Sequence, residues 1–384
     1  MRETENWRAY CANPEAALAG NSAALLTGGE ESFGALLEAL RSARKYALLE
    51  FYAFSDDSVG SLFATVLREK AAQGVEVRLL YDAVGSRLTA RSFFNDLSAA
   101  GVRVAEFRPV VLWKPYRNWL KRDHRKLVCV DGEKAFVGGF NITANDAPKS
   151  LGGRGWKDMA AVVKGPAVAE VERLFWKIWR EAVPAGGRPA PPLAAAEPGP
   201  AGGAAVSVLS ASGILNLHSI RRSYAYAIKR AREHIYITNA YFLPGWGVYR
   251  KLIAAALRGV DVRIITPGET DLPYIRWASW SRYGHMIKNG IRIYEWRGPM
   301  LHTKAAVIDG AWSSVGSHNL DNRSLKYNLE LNLSVHSREF CGAMTRAFRE
   351  DLKNCEHITL AAVKGRPLVS KAASRLLYFF RYLL

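Results

Sequence analysis

A chain of 384 residues is long enough for two domains with real cores, and 49% hydrophobic with 23% charged residues is a globular composition, not a disordered or fibrous one. The net charge of +18 calls for a polyanionic partner, either nucleic acid or an anionic membrane surface. Cys11, Cys129, Cys341 and Cys355 form neither a disulfide framework nor a zinc-site spacing, and no run approaches the roughly 18 apolar residues of a spanning helix.

The first residues, Met1 to Asn6, lack the apolar core of a signal peptide. Together with the cysteine usage, this predicts a protein of the reducing cytoplasm that meets any membrane from the side. Asn21 to Leu40 reads as a helix with its leading loop at Thr27–Glu30 and apolar positions Phe33, Leu36, Leu37 and Leu40. Tyr46 to Phe54 reads as a buried strand, Val59 to Ala72 as a helix, Gly74 to Tyr81 as a strand and Phe93 to Ala100 as a helix. Gly101 to Phe107 comes next, and a helix through Trp176 and Trp179 follows the segment Asp158 to Val163. This alternation predicts an α/β layered fold, a mixed β-sheet flanked by helices.

Residues 185–204 are dominated by Pro, Gly and Ala and read as an extended linker. They divide the chain into an N-terminal repeat, 1–184, and a C-terminal repeat, 205–364, ahead of a basic tail, 365–384. The second half echoes the first. Gly259-Val260-Asp261-Val262-Arg263 answers Gly74-Val75-Glu76-Val77-Arg78, and Gly290-Ile291-Arg292-Ile293 answers Gly101-Val102-Arg103-Val104. So long a period marks a duplicated domain.

The strongest echo is a motif. His124-Arg125-Lys126-Leu127-Val128-Cys129-Val130-Asp131 runs on through Gly138-Gly139-Phe140-Asn141. His302-Thr303-Lys304-Ala305-Ala306-Val307-Ile308-Asp309 runs on through Gly316-Ser317-His318-Asn319. The apolar runs read as buried strands, and each Asp-Gly predicts a two-residue type I′ hairpin turn. That turn would set His124 opposite Gly139 and His302 opposite Ser317. His and Lys, two apart on a strand, share a face. Asp131 and Asp309, an odd number of residues from their histidines, read as turn and support residues.

The paired motifs resemble those of the phospholipase D superfamily, in which histidine, lysine and aspartate of each motif are counted together as catalytic. The likeness extends through Gly155-Trp156-Lys157-Asp158, Leu320-Asp321-Asn322-Arg323-Ser324 and Asn328-Leu329-Glu330-Leu331-Asn332. Within the superfamily the chain looks most like bacterial cardiolipin synthases. Asp123, where Asn is expected, and His318, where Ser is usual, depart from the pattern beside the site. The resemblance implies two tandem repeats sharing one active site at their interface.

A phosphodiester is an anion. Lys126 and Lys304 can neutralise its oxygens, while Asn141, Asn319 and Ser317 can bind it. The resemblance implies a two-step route in which His124 attacks phosphorus and His302 serves as acid and base. Asp158 and Glu330, 34 and 28 residues after the histidines of their own halves, are the candidates to orient them. No cofactor is implied, and no carboxylate cluster legible in the sequence would hold a metal.

Trp113, Tyr116 and Trp119 alternate with basic residues, and Tyr274, Trp277, Trp280 and Tyr283 recur at helical spacing. The second set suits either a helix face on a core or, like the first, a lip in lipid headgroups. In the tail a helix would gather Lys371, Ser374, Arg375, Tyr378 and Arg381 on one face, with Leu376, Leu377, Phe379 and Phe380 elsewhere. From Lys364 onward there is no acidic residue. This pattern predicts a membrane-surface helix, against the alternative of a helix docked on the domain. The expected partners are therefore anionic phospholipid, phosphatidylglycerol above all, and the cytoplasmic face of a bacterial inner membrane. Nucleic acid is not expected. The implied reaction joins two phosphatidylglycerols into cardiolipin and glycerol; the rivals are lipid hydrolysis and a basic phosphodiesterase acting on nucleic acid.

Overall fold

The computed structural model describes residues 6–110, 120–183, 198–211 and 219–381. Tyr116 and its neighbours at 111–119 fall outside them, as does most of the linker. The first half runs β1 (Leu18–Thr27), α1 (Gly29–Ser42), β2 (Tyr46–Phe51), α2 (Ser58–Ala72), β3 (Glu76–Asp82), α3 (Arg91–Ala99) and β4 (Arg103–Phe107). It closes with β5 (Leu127–Val130), β6 (Lys134–Gly138), β7 (Met159–Lys164) and α4 (Ala167–Ala182). The second half runs β8 (Ala204–Ser210), α5 (Ser219–Arg230), β9 (His234–Asn239), α6 (Trp246–Leu257), β10 (Asp261–Pro267), α7 (Pro273–Lys288) and β11 (Arg292–Trp296). Then come β12 (Lys304–Ile308), β13 (Trp312–Gly316), α8 (Asn322–Lys326), β14 (Leu331–His336) and α9 (Arg338–Leu352). β15 (Cys355–Ile358), α10 (Leu360–Gly365) and α11 (Leu368–Phe379) end the described chain.

The strands form one mixed sheet, ordered β15-β11-β10-β9-β12-β13-β14-β8-β1-β7-β6-β5-β2-β3-β4. Outward from the β1–β8 seam, both halves have the same strand order. β2, β3 and β4 are parallel, as are β9, β10 and β11, and the remaining pairs are antiparallel. Parallel strands are covered on both faces, which is why β2 is buried from end to end. One face of the sheet carries a core shared by both halves, roofed by α4 and α9. The other face carries a separate core for each half, under α1–α3 and under α5–α7. β5 and β12, which carry the motif histidines just ahead of them, occupy equivalent places in the two halves.

Two expectations require correction. Asn21 to Thr27 is strand, not helix. Its Ala- and Leu-rich sequence carries little β preference, but β7 and β8 pair with its two edges and decide the matter. The motif hairpins also differ by one residue. Asp131 and Gly132, and likewise Asp309 and Gly310, have the positive φ values of a type I′ turn. Each loop nevertheless takes in a third residue, so Val130 pairs with Lys134 and Ile308 with Trp312.

The tail adopts the docked arrangement. α11 packs along α7, where the Ser374 hydroxyl donates to the Trp277 carbonyl at 2.6 Å and the Arg282 guanidinium lies 4.0 Å over the Tyr378 ring. It docks through its small and polar face. Leu368, Val369, Leu376 and Phe379 stay at least 60% exposed, beside the half-exposed Tyr274 and Trp277. α7 divides its aromatics accordingly: Tyr283 is in the core while Tyr274 and Trp277 face outward. No described helix is long and apolar enough to cross a membrane.

Candidate active site

Each motif delivers its histidine just before a central strand. The His124 amide donates to the Leu329 carbonyl, and the His302 amide to the Lys157 carbonyl. Each motif is thus clamped to the opposite half, and the orienting carboxylates follow the same crossing. His124 Nδ1 lies 3.1 Å from both oxygens of Glu330, and His302 Nδ1 lies 2.9 Å from Asp158 Oδ2. Asp158 therefore serves His302 and Glu330 serves His124, the reverse of a pairing within each half. The crossing has a steric basis. A Cβ on Gly139 would fall 2.1 Å from the Asp158 carboxylate, so only glycine lets that side chain through. In the second half the residue after the glycine is Ser317, whose hydroxyl donates to Glu330. Asn328 Nδ2 and the Ser324 hydroxyl complete the shell around that carboxylate.

Each lysine folds back on its own histidine. Lys126 Nζ donates to the His124 carbonyl at 2.8 Å, and Lys304 Nζ donates to the His302 carbonyl and lies 3.5 Å from Asp158. Both are buried. Burial pushes Lys126 down to about 7, offset by Glu330 and reinforced by Lys304. It lowers Lys304 too, against the pull of Asp158, Asp146 and Glu330. Burial, then Lys126, Lys304, His302 and Arg323, hold His124 well below the usual histidine range. His124 is thus neutral, and with Nδ1–H turned to Glu330 its Nε2 lone pair is free.

Other predicted residues take other places. Asp131 accepts the amides of Arg44, Lys45 and Tyr46, and Asp309 those of Arg232, Glu233 and His234. They pin the starts of β2 and β9, and among the described residues no hydrogen bond or ion pair joins either to His124 or His302. Asn141 is buried, its Oδ1 accepting the Ala53 amide; Asn319 is buried with its Oδ1 unpartnered. Asp123 turns into a buried cluster with Arg125 and Glu50. His318 is buried with Nδ1 unpartnered, and burial pushes it down to about 4, with Glu330 and His124 both in electrostatic reach.

Sequence reasoning missed Asp146, whose Oδ1 lies 3.8 Å from His302 Nδ1. Its only sequence signal is the local Thr143-x-x-Asp146 spacing, in which the threonine hydroxyl donates to the carboxylate. Asp146, Asp158 and His302 present ligand atoms within 4.8 Å of one another, a grouping the linear sequence did not reveal. Lys304 Nζ already stands there, 3.5 Å from Asp158 Oδ2. Tyr52 sets its ring edge on His124 at 5.1 Å, while Trp156 and Tyr241 flank His302. Trp156 and Tyr241 belong to an apolar cluster with Ile275 and Met300 that links the His302 side to α7.

The arrangement, two imidazoles with crossed carboxylates and two buried ammonium groups, suits in-line displacement at a phosphodiester. A family model described as "Cardiolipin synthase, PLD-like domain" matches residues 36–179 and 224–352. The chain is 33% identical to the cardiolipin synthase of Geobacillus kaustophilus (strain HTA426) over 92% of its length and 71% of that protein's. It is 32% identical to cardiolipin synthase A of Pseudomonas syringae pv. syringae (strain B728a) over 94% of its length and 75% of that protein's. In fold it is similar to a phosphatidylserine synthase of Haemophilus influenzae Rd KW20, with a TM-score of 0.74 at 14% identity, covering 96% of this chain and 97% of that one.

Proposed function

The chain belongs to the phospholipase D-like cardiolipin synthase family, a family of phospholipid phosphatidyltransferases, and from that premise we propose how this site joins two phosphatidylglycerols. His124 Nε2 attacks the donor phosphorus in line. The P–O bond to the head-group glycerol breaks, His302 protonates the departing oxygen, and glycerol leaves a phosphatidyl-His124. His302 then takes the proton from a hydroxyl of a second phosphatidylglycerol. That oxygen attacks phosphorus, the P–N bond breaks, and cardiolipin leaves with His124 restored.

The observation that supports this reading is the crossing of the carboxylates: each imidazole leans on a carboxylate of the other half, and a buried lysine is anchored to each histidine's carbonyl. The two histidines also differ in their partners. His124 is held neutral and lies against Glu330, whereas two carboxylates, Asp158 and Asp146, face His302 Nδ1. Lys126 and Lys304 neutralise the nonbridging oxygens, with Asn141 and Asn319 beside them. In this reading the enzyme sits peripherally on the cytoplasmic face of the inner membrane. The exposed apolar strip of α11 and α7 rests among lipid headgroups, and the basic surface meets anionic lipid rather than nucleic acid.

Purified protein given phosphatidylglycerol vesicles, and no nucleotide-activated lipid, should make cardiolipin and release glycerol in equal amounts. His124→Ala and His302→Ala should each abolish turnover. Phosphatidic acid as the main product at every lipid concentration would refute transfer.

A further inference from the structure

The reaction brings two anions together: the phosphate being transferred, and the phosphate that the acceptor lipid carries at the far end of its own glycerol. Lys126 and Lys304 are committed to the first. They are buried, and each is anchored to the carbonyl of its own motif histidine. The second needs cations of its own, close to the first but nearer the surface.

Most arginines around the site are already paired. Arg122 is held by Asp82, Arg125 by Glu50 and Asp123, and Arg276 by Glu295. Arg323 and Arg87 differ. Both are exposed, and among the described residues neither has a carboxylate within 4.0 Å. Arg323 stands in the single turn of α8, which follows the second motif, fixed from both sides. Asp321 caps that turn by accepting the Ser324 amide, and the Ser324 hydroxyl reaches Glu330. On the other side of Arg323, Asn322 Nδ2 donates to the Arg381 carbonyl in the tail. Arg323 is thus held between the catalytic carboxylate and the apolar strip, and its charge acts on His124, Tyr52 and Tyr274. Arg87 approaches from the first half. Gly85 packs so closely on Tyr52 that a Cβ there would fall 2.0 Å from the Tyr52 carbonyl, and Ser86 Oγ donates to the same carbonyl. The loop that carries Arg87 is thereby fastened to the ring whose edge rests on His124.

We propose that Arg323, with Arg87 across Tyr52, forms a second anion subsite at the mouth that binds the phosphodiester of the acceptor lipid. The inference rests on the transferase reading above and adds what selects the acceptor. Guanidinium groups suit the task because each presents forked donors to two phosphate oxygens and stays charged. A bound acceptor phosphate would hold the terminal hydroxyl over the reacting centre, raising its effective concentration against water.

The test compares acceptors on one donor. The protein is given phosphatidylglycerol vesicles with labelled free glycerol, and two products are counted: cardiolipin, and labelled phosphatidylglycerol formed by exchange with glycerol. Only the first uses an acceptor that carries a phosphate. Arg323→Gln should lower the ratio of cardiolipin to exchange product at least tenfold, Arg87→Gln should lower it less, and Arg323→Lys should restore part of it. Soluble glycerol 3-phosphate, offered as a third acceptor, separates free phosphate from lipid: the wild type should prefer it to glycerol, and Arg323→Gln should erase that preference. A ratio unaltered in both Gln variants, including loss of both products in parallel, overturns the subsite. Wild-type protein that makes exchange product but no cardiolipin would instead overturn the transferase reading.

Discussion

Lys126 sits where burial and charge oppose each other. An ammonium group taken out of water loses proton affinity, and the neighbouring Glu330 carboxylate restores only part of it, leaving the group at about 7. The sign for catalysis follows. The lysine neutralises substrate oxygens only when protonated, so kcat/KM for phosphatidylglycerol, which reports the free enzyme, should fall as pH rises through about 7. Above that point the fall should approach about tenfold per pH unit. A profile that stays flat from neutral to mildly alkaline pH would remove Lys126 as the controlling charge. The residues themselves were legible in the sequence, because a duplicated His-x-Lys on an apolar run has little other reason to occur. Their partners were not. Glu330 lies nearer in sequence to His302 yet orients His124, because the carboxylates follow the packing of the halves and not their order along the chain.

At the scale of elements, sequence patterns were reliable where one partner decides the outcome and weak where several do. The buried parallel strands and amphipathic helices lie close to where their periodicity put them. β1 was misread because its strand state is imposed by neighbours on both edges. α11 is a mixed case: the pattern of polar and apolar faces was right, but the polar face is the one that docks. The apolar face is left exposed. Phe379 is 71% exposed and supports no core, so replacing it and Phe380 with Ser should leave the melting temperature within a few degrees. Sedimentation with anionic vesicles should weaken by roughly tenfold or more, as expected when two large apolar side chains no longer enter the interface. Unchanged vesicle binding would shift the membrane contact elsewhere.

At the scale of the molecule, the continuous sheet joins two copies of one topology through the β1–β8 pair. The duplication was visible in the sequence as recurring segments. The seam was not, since β1 is the strand that was misread. Because each histidine depends on a carboxylate from the other copy, neither half holds a complete site. The halves 1–190 and 198–384, expressed separately, should each be inactive. Mixed, they should recover transferase activity to the extent that the seam re-forms, which co-purification measures. Activity in either half alone would contradict the crossed arrangement.

The crossed carboxylates also bear on how such a site can diversify. Two identical chains assembled about a twofold axis must give both histidines the same partner, so any change that improves one improves or harms the other equally. Fusion into one chain lifts that constraint. Here one histidine faces a glutamate ringed by Ser317, Ser324 and Asn328, while the other faces an aspartate threaded past a glycine and backed by Asp146. Each histidine can thus acquire surroundings of its own, which a symmetric pair of identical chains cannot give it before substrate binds.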